Sequence, residues 1–232
     1  MKNILCIIPA RSGSKGLPDK NIKDFKGHPL LSWSIKQALQ SKYKMKIVVS
    51  TDSDKYAQIA IKYGAEVPFL RPPEISADLS SDYECIKHCV EWLEKNEKYI
   101  PDIILQLRPT QPCRNIETIN QCLDIFIENI DNYDSLRTVI KIDKSPYKMY
   151  QIDNNNNKLI PLFHELNGVK EPYNQCRQIL PECYLHNGYI DILKIETLEN
   201  ESVSGNNIFP YVMNKDEIID IDTLDDWIKA VL

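Results

Sequence analysis

This sequence of 232 residues is short of several things, and each shortage excludes a class of protein. No apolar run approaches the roughly 18 residues that a bilayer span requires. The stretch Ile4 to Ala10 runs straight into Arg11, Ser12 and Gly13, so it reads as a strand rather than as a signal peptide or membrane anchor. Positive charge is not in surplus: 28 Lys and Arg stand against 33 Asp and Glu, a net charge of -5, which argues against a nucleic-acid partner. Cysteine is present seven times, an odd number with no CxxC pair, as expected of reduced, buried thiols in a cytosol. Cys85 and Cys89 can share a helix face, but the four scattered His offer zinc no obvious further ligands. The Rossmann GxGxxG, the P-loop, the serine nucleophile elbow, HExxH and a Cys-His pattern are all missing, so covalent catalysis is not indicated.

What is present is the composition of a soluble globular domain, 43% hydrophobic and 26% charged, long enough to bury a sizeable core. Short β-branched runs alternate with helical patterns over the first 140 residues, the signature of an α/β fold with a mostly parallel sheet flanked by helices. Strands are expected at 3–9, 47–50, 67–70, 103–107 and 136–142, and helices at 30–40, 55–62, 83–94 and 116–127, with Asp82 capping the third helix. After Asp143 the pattern changes: Ser145-Pro146 and the run Asn154 to Asn157 mark turns, and the flanking 148–152 and 159–163 suggest a hairpin. Residues 143–180 are therefore read as an insert in a single domain spanning 1–232. Strands at 184–193 and 208–212 and a helix at 224–231 complete the chain.

Only seven glycines occur, and two of them, Gly13 and Gly16, fall in the loop after the first strand. Glycine there lets backbone N–H groups approach a ligand, while Arg11, Lys15 and Lys20 can neutralise phosphate oxygens. Two readings stand: a polyphosphate cradle, or an ordinary basic turn between a strand and a helix.

The run PARSGSKGLPDKN closely resembles the opening motif of the acylneuraminate cytidylyltransferases, the CMP-sialic acid synthetases and their CMP-legionaminate and CMP-pseudaminate relatives. The resemblance implies a Rossmann-like nucleotidyltransferase fold in which this loop grips the triphosphate of CTP through Arg11, Ser14, Lys15, Lys20 and Asn21. It continues through IVVSTD and YGAEVPFLRP, and it places Arg71 and Ser80 where the family reads the cytosine base. Residues 106–114 (QLRPTQPCR), with Thr110, resemble the family's LQPTSPLR block, with one departure: Arg108 stands where the family carries Gln near the acceptor sugar. Arginine can pair with a substrate carboxylate in a bidentate fork, or be salt-bridged within the C-terminal edge of the sheet; both readings stay open. Ser145-Pro146-Tyr147-Lys148 resembles the segment whose lysine helps to hold the sugar, with Ser replacing His. Arg177, Gln178, Tyr184 and Asn187-Gly188 match a later block, and the resemblance implies a homodimer built by exchange of the intervening segment.

Six acids fall between Asp216 and Asp226. On extended backbone Asp220 and Asp222 point the same way, roughly 6 to 7 Å apart. Such a pair suits a hard cation shared with a triphosphate, or else Asp222 or Thr223 caps the last helix, with Asp225 and Asp226 in its first turn. The resemblance to the family's DID motif assigns Asp220 and Asp222 to Mg²⁺. It implies a cytoplasmic enzyme that couples CTP with a nonulosonic acid to give a CMP-sugar and pyrophosphate, with Arg11, Lys15, Lys20, Asp220 and Asp222 as catalytic residues. Competing readings are a nucleotidyltransferase using Kdo, a sugar 1-phosphate or another nucleotide, an NAD-binding oxidoreductase with Asp52 on the ribose, and an inactive nucleotide-binding scaffold.

Overall fold

The structure, a computed structural model, describes residues 2–231. In chain order its elements are β1 (Ile4–Pro9), a small hairpin β2 (Asp24–Phe25) and β3 (His28–Pro29), α1 (Leu30–Gln40), β4 (Lys46–Ser50), α2 (Asp54–Lys62), α3 (Asp82–Glu97), β5 (Ile103–Gln106), α4 (Ile116–Glu128) and β6 (Ser135–Lys141). Then come β7 (Tyr150–Asp153), β8 (Lys158–Pro161), β9 (Glu165–Leu166), β10 (Val169–Lys170), β11 (Tyr184–Lys194), β12 (Ile208–Met213) and α5 (Leu224–Val231). The expected α/β architecture is present. Six strands form one sheet in the order β12-β6-β11-β5-β1-β4, with β11 antiparallel to both neighbours and the other pairings parallel.

β1 is apolar on both faces because both are covered. Ile4, Cys6 and Ile8 pack with Leu31, Ile35 and Ala38 of α1, Tyr56 and Ala60 of α2, and Ile119, Leu123 and Phe126 of α4. Leu5 and Ile7 face the other way, against Cys85, Ile86, Cys89 and Leu93 of α3. The apolar spacing that predicts α1 is thus the stripe it buries.

Two expected elements differ. Residues 67–70 do not form a strand: pairing with β4 ends at one bridge between Val48 and Glu66. Pro68 has no N–H to continue the ladder, and the chain leaves the sheet edge there. Asp82 does not cap α3 either. Ser81 does, in a reciprocal capping box with Glu84, which leaves the Asp82 carboxylate free to pair elsewhere. Cys6, Cys85, Cys89 and Cys122 are buried as expected, whereas Cys113 and Cys176 are exposed.

The segment 143–180 is the connection between the antiparallel neighbours β6 and β11. The pairing of those two strands continues to its base, where the Ile142 amide donates to the Cys183 carbonyl at 3.1 Å. It carries the hairpin β7–β8 and the short ladder β9–β10, both outside the main sheet. It departs from the end of the sheet where the parallel strands finish, the end at which open α/β sheets bind ligands.

One charged cluster lies within the sheet. Asp191 of β11 has a fully buried side chain and accepts from Arg137 at 2.8 Å, from His186 at 2.7 Å and from Arg108. Burial alone would raise its pKa, but the His186 hydrogen bond and the two arginine charges outweigh this and hold the carboxyl below its ordinary range. A depressed native pKa contributes stability that is complete above the ordinary value of 3.8 and is lost as pH falls through the native value. Asp191→Asn strands two guanidinium groups, so it is expected to cost about 3–5 kcal/mol at neutral pH. Urea unfolding should show this loss, and the gap to the wild type should narrow as pH is taken below 3.8.

Candidate active site

The loop after β1 is placed by an apolar contact rather than by its charges. Leu17 packs with Phe25, Leu30, Ile221, Trp227 and Ala230, so the loop, the Asp220-Ile221-Asp222 segment and α5 share one small core. Gly16 touches that segment directly: a β-carbon there would lie 2.6 Å from the Asp222 carbonyl oxygen. Asp52 accepts from the Ser12 amide and hydroxyl, each at 2.8 Å. It therefore anchors the loop, a role sequence reasoning missed, and is not held out for a ribose. Asn21 donates from Nδ2 to the Arg11 carbonyl at 3.0 Å, which makes it a brace of the loop's shape.

Around this loop lies a cleft of about 550 Å³, lined by Arg11, Ser14, Lys15, Lys20, Asn21, Arg71, Ser80, Arg108, Thr110 and Asp222 among others. The structure thus brings together every residue that the sequence assigns to the nucleotide. Arg71 is 6% exposed, and its Nε and Nη2 find no partner among the described residues. Buried guanidinium donors of this kind call for an acceptor from outside the chain. Arg11 donates to Asp78 at 2.8 Å and Lys15 pairs with the same carboxylate. The two cations hold the Asp78 carboxyl below its ordinary range, Lys15 contributing most. Asp78 is a site residue that no local pattern singled out.

A second cavity, about 480 Å³, is lined by Arg108, Thr110, Ile140, Leu185, His186, Asn187, Gly188, Ile218, Asp220 and Asp222. Arg108, Thr110 and Asp222 line both spaces, so the cleft and the cavity share a wall. Ile221, fully buried, donates from its amide to the Thr110 carbonyl at 2.9 Å, and the aspartates on either side of it both line the cavity. Burial raises the Asp220 pKa above its ordinary value, and the neighbouring Asp222 charge adds to that in spite of a hydrogen bond from Thr110. Asp222 accepts from Lys20 at 2.8 Å. Thr223 caps α5: its hydroxyl accepts from the Asp226 amide at 3.2 Å while the Asp226 carboxylate accepts from the Thr223 amide at 2.9 Å. The helix start is satisfied without Asp222.

Arg108 reaches the shared wall, but its guanidinium is occupied. Nη2 pairs with Asp82 at 2.5 Å and Nη1 with Asp191, the salt-bridged arrangement of the two open readings. The backbone around it is fixed by Arg114, which donates to the carbonyls of Arg108, Tyr189 and, at 2.8 Å, Gln111. Asn187 is also engaged: Oδ1 accepts from the Thr138 hydroxyl at 2.6 Å and the Tyr189 amide at 3.0 Å. Lys148, Arg177 and Gln178 are not brought to this cavity. Lys148 donates to the Gln175 carbonyl at 2.6 Å, and Arg177 lies 3.6 Å from Asp143 beside a separate pocket that Gln178 also lines. Tyr184, half exposed at the start of β11, donates to Glu182 at 3.4 Å instead.

A cationic cleft with an orphaned arginine, joined to a carboxylate-lined cavity, has the form of a site where a nucleotide meets a second substrate. The sequence matches the cytidylyltransferase family over residues 5–158. The chain belongs to that family. It is 32% identical over 228 residues to a pseudaminic acid cytidylyltransferase of Campylobacter jejuni, covering 97% of this chain and 93% of that protein. It is 36% identical over 227 residues to the CMP-N,N'-diacetyllegionaminic acid synthase of Legionella pneumophila, with 97% and 93% covered. A CMP-2-keto-3-deoxy-manno-octonic acid synthetase solved in complex with CTP has the same fold: TM-score 0.68, 18% identity, 98% of this chain and 96% of that one. The chain is therefore a nucleotidyltransferase, and its fold is that of the nucleotidyltransferases.

The close approach of Gly16 to Asp222 gives a direct test of how this cytidylyltransferase positions its loop. In Gly16→Ala the methyl meets backbone rather than a flexible side chain, so the loop has to separate from the carboxylate segment. Overpacking of about 1–3 kcal/mol corresponds to a loss of nucleotide affinity of at least about fivefold. Calorimetric titration with CTP measures it, and an unchanged affinity would show that the contact does not set the loop.

Proposed function

We propose that this cytidylyltransferase couples CTP with a nonulosonic acid, giving the CMP-sugar and pyrophosphate. The observation that carries the reading is the shared wall: a cleft lined by Arg11, Lys15, Lys20 and Arg71 adjoins a cavity lined by Asp220 and Asp222. CTP occupies the cleft, its triphosphate taking Arg11 and Lys15 over from Asp78 and its base meeting Arg71 and Ser80. The acid sugar occupies the cavity, which sets its anomeric hydroxyl beside the α-phosphorus. In-line attack forms the O–P bond to the sugar and releases pyrophosphate, whose charge Arg11, Lys15 and Lys20 offset. The hydroxyl proton passes to a carboxylate of the aspartate pair.

The donor set fits Mg²⁺. Asp220 and Asp222 offer oxygen ligands alone; burial, with the Asp222 charge adding to it, raises the Asp220 pKa, and a cation would relieve both. A nucleotide and water would supply the ion's remaining ligands. Held by these two aspartates, the ion would polarise the phosphate and lower the pKa of the attacking hydroxyl.

A second copy of the chain completes the reading. The insert exposes Ile152, Leu159, Ile160, Leu162 and Phe163, a patch that pairing with another insert would cover, and Lys148 and Arg177 do not serve their own chain's cavity. No helix among the described residues is long and apolar enough to cross a membrane, and a cytoplasmic enzyme is supplied with CTP.

The test is pyrophosphate release with Mg²⁺, crossing CTP, UTP, GTP and ATP against sialic, legionaminic and pseudaminic acids, Kdo and sugar 1-phosphates. Release with CTP and one nonulosonic acid is expected. Release confined to Kdo or to a sugar 1-phosphate would replace the acceptor, and no release from any pair would reject the reading. Asp222→Asn is expected to abolish turnover while leaving the unfolding midpoint nearly unchanged, because Asp222 is largely exposed and the asparagine oxygen can still accept from the buried Lys20 ammonium. Turnover within tenfold of the wild type would remove Asp222 from the mechanism.

A further inference from the structure

The acceptor cavity contains a histidine that none of the roles above uses. His186 lies on β11 just before Asn187-Gly188, where the register of pairing with β6 shifts between His186 and Asp191. Gly188 adopts φ +64°, and a β-carbon there would meet the Arg108 guanidinium at 3.3 Å. The resulting bulge bends the strand, so that His186 reaches Asp191 five residues on, its Nε2 lying 2.7 Å from Oδ1. Its side chain is 44% exposed and lines the cavity together with Asp220 and Asp222.

The remaining polar groups of that wall are engaged. Arg108 is held between Asp82 and Asp191, and Asn187 by Thr138, the Tyr189 amide and, through its carbonyl, Gln111 at 3.0 Å. The imidazole Nδ1 has no partner among the described residues. The Asp191 carboxylate accepts from Nε2, which sets the orientation of the ring and leaves Nδ1 as its free hydrogen-bonding atom. A hydrogen-bonding group of set orientation on a cavity wall discriminates among polyols by which hydroxyl it meets.

Resting on the acceptor proposed above, we propose that His186, oriented by Asp191, is a specificity-determining residue that hydrogen-bonds to a hydroxyl of the acid sugar. Nonulosonic acids differ in stereochemistry and decoration, so they present different hydroxyls to one fixed imidazole. The contact bears on the sugar alone, since the nucleotide cleft does not include His186.

The test is steady-state kinetics of the full chain with CTP and each of sialic, legionaminic and pseudaminic acids, for the wild type, His186→Ala and His186→Gln. For the preferred acid, kcat/KM is expected to fall about fivefold to tenfold in His186→Ala, through KM, with smaller losses for the others, so that the ratios between acids contract. The KM for CTP should stay within twofold. Unchanged ratios, an equal loss for every acid, or a parallel rise in the KM for CTP would overturn the inference, as would ratios that respond to Arg177→Ala and not to His186. CTP binding by calorimetry shows that each variant is folded, and His186→Gln serves if His186→Ala is not. A wild type that binds CTP yet uses none of the three acids rejects the proposed acceptor and this inference with it. A wild type that uses one of them, with its ratios unmoved by either variant, rejects the inference alone.

Discussion

The contact of Leu17 with Ile221 and Trp227 is the constraint on which the site depends. Three cations in one loop repel each other and would not, by themselves, hold a defined shape. Burial of each large apolar side chain contributes about 1.5–3 kcal/mol, whereas the ion pair of the buried Lys20 with the largely exposed Asp222 adds little net stability once the desolvation of the ammonium is set against it. Apolar packing therefore decides where the loop sits, and the ion pair follows from it. The same packing fixes the carboxylates: with Ile221 buried and its amide tied to Thr110, Asp220 and Asp222 are directed to the cavity on either side of it.

A second constraint acts from within the sheet. Asp191 is the common partner of Arg108, Arg137 and His186, and Arg108 extends the chain of charges to Asp82 at the start of α3. Buried ion pairs add little net stability but are costly to break, so such a chain serves to specify one arrangement. Here the arrangement joins β11, which bears the acceptor wall, to the helix whose first residue lines the nucleotide cleft. Arg108 is better described as the strut between the two spaces than as a group waiting for a substrate carboxylate.

Much of this was legible in the sequence. α1 and α5 lie where the apolar spacing places them, and β1 leads into the glycine-bearing loop that lines the cleft. The residues that line the cleft were legible because each is local to a motif. What was not legible depends on partners far apart in the chain. Asp52 holds a loop 40 residues away, Asp78 pairs with Arg11 across 67 residues, and the use of Arg108 was decided by Asp191, 83 residues further on. The strand expected at 67–70 failed for a local reason, since β-branched propensity was overruled by a proline at the sheet edge. The insert was visible as a change of pattern, but where its cations point is set by its own turns.

The shared wall also orders the electrostatics of the two spaces. With Lys20 on Asp222, the aspartate pair has one cation as partial compensation, and Asp220 is left with a raised pKa. A triphosphate in the cleft competes for the same ammonium group, so nucleotide binding weakens that compensation while adding negative charge of its own. On the proposed reading, two carboxylates and a triphosphate close together would favour a divalent cation between them. Because Asp222 lines both spaces, the charge along the cavity wall depends on what the cleft contains.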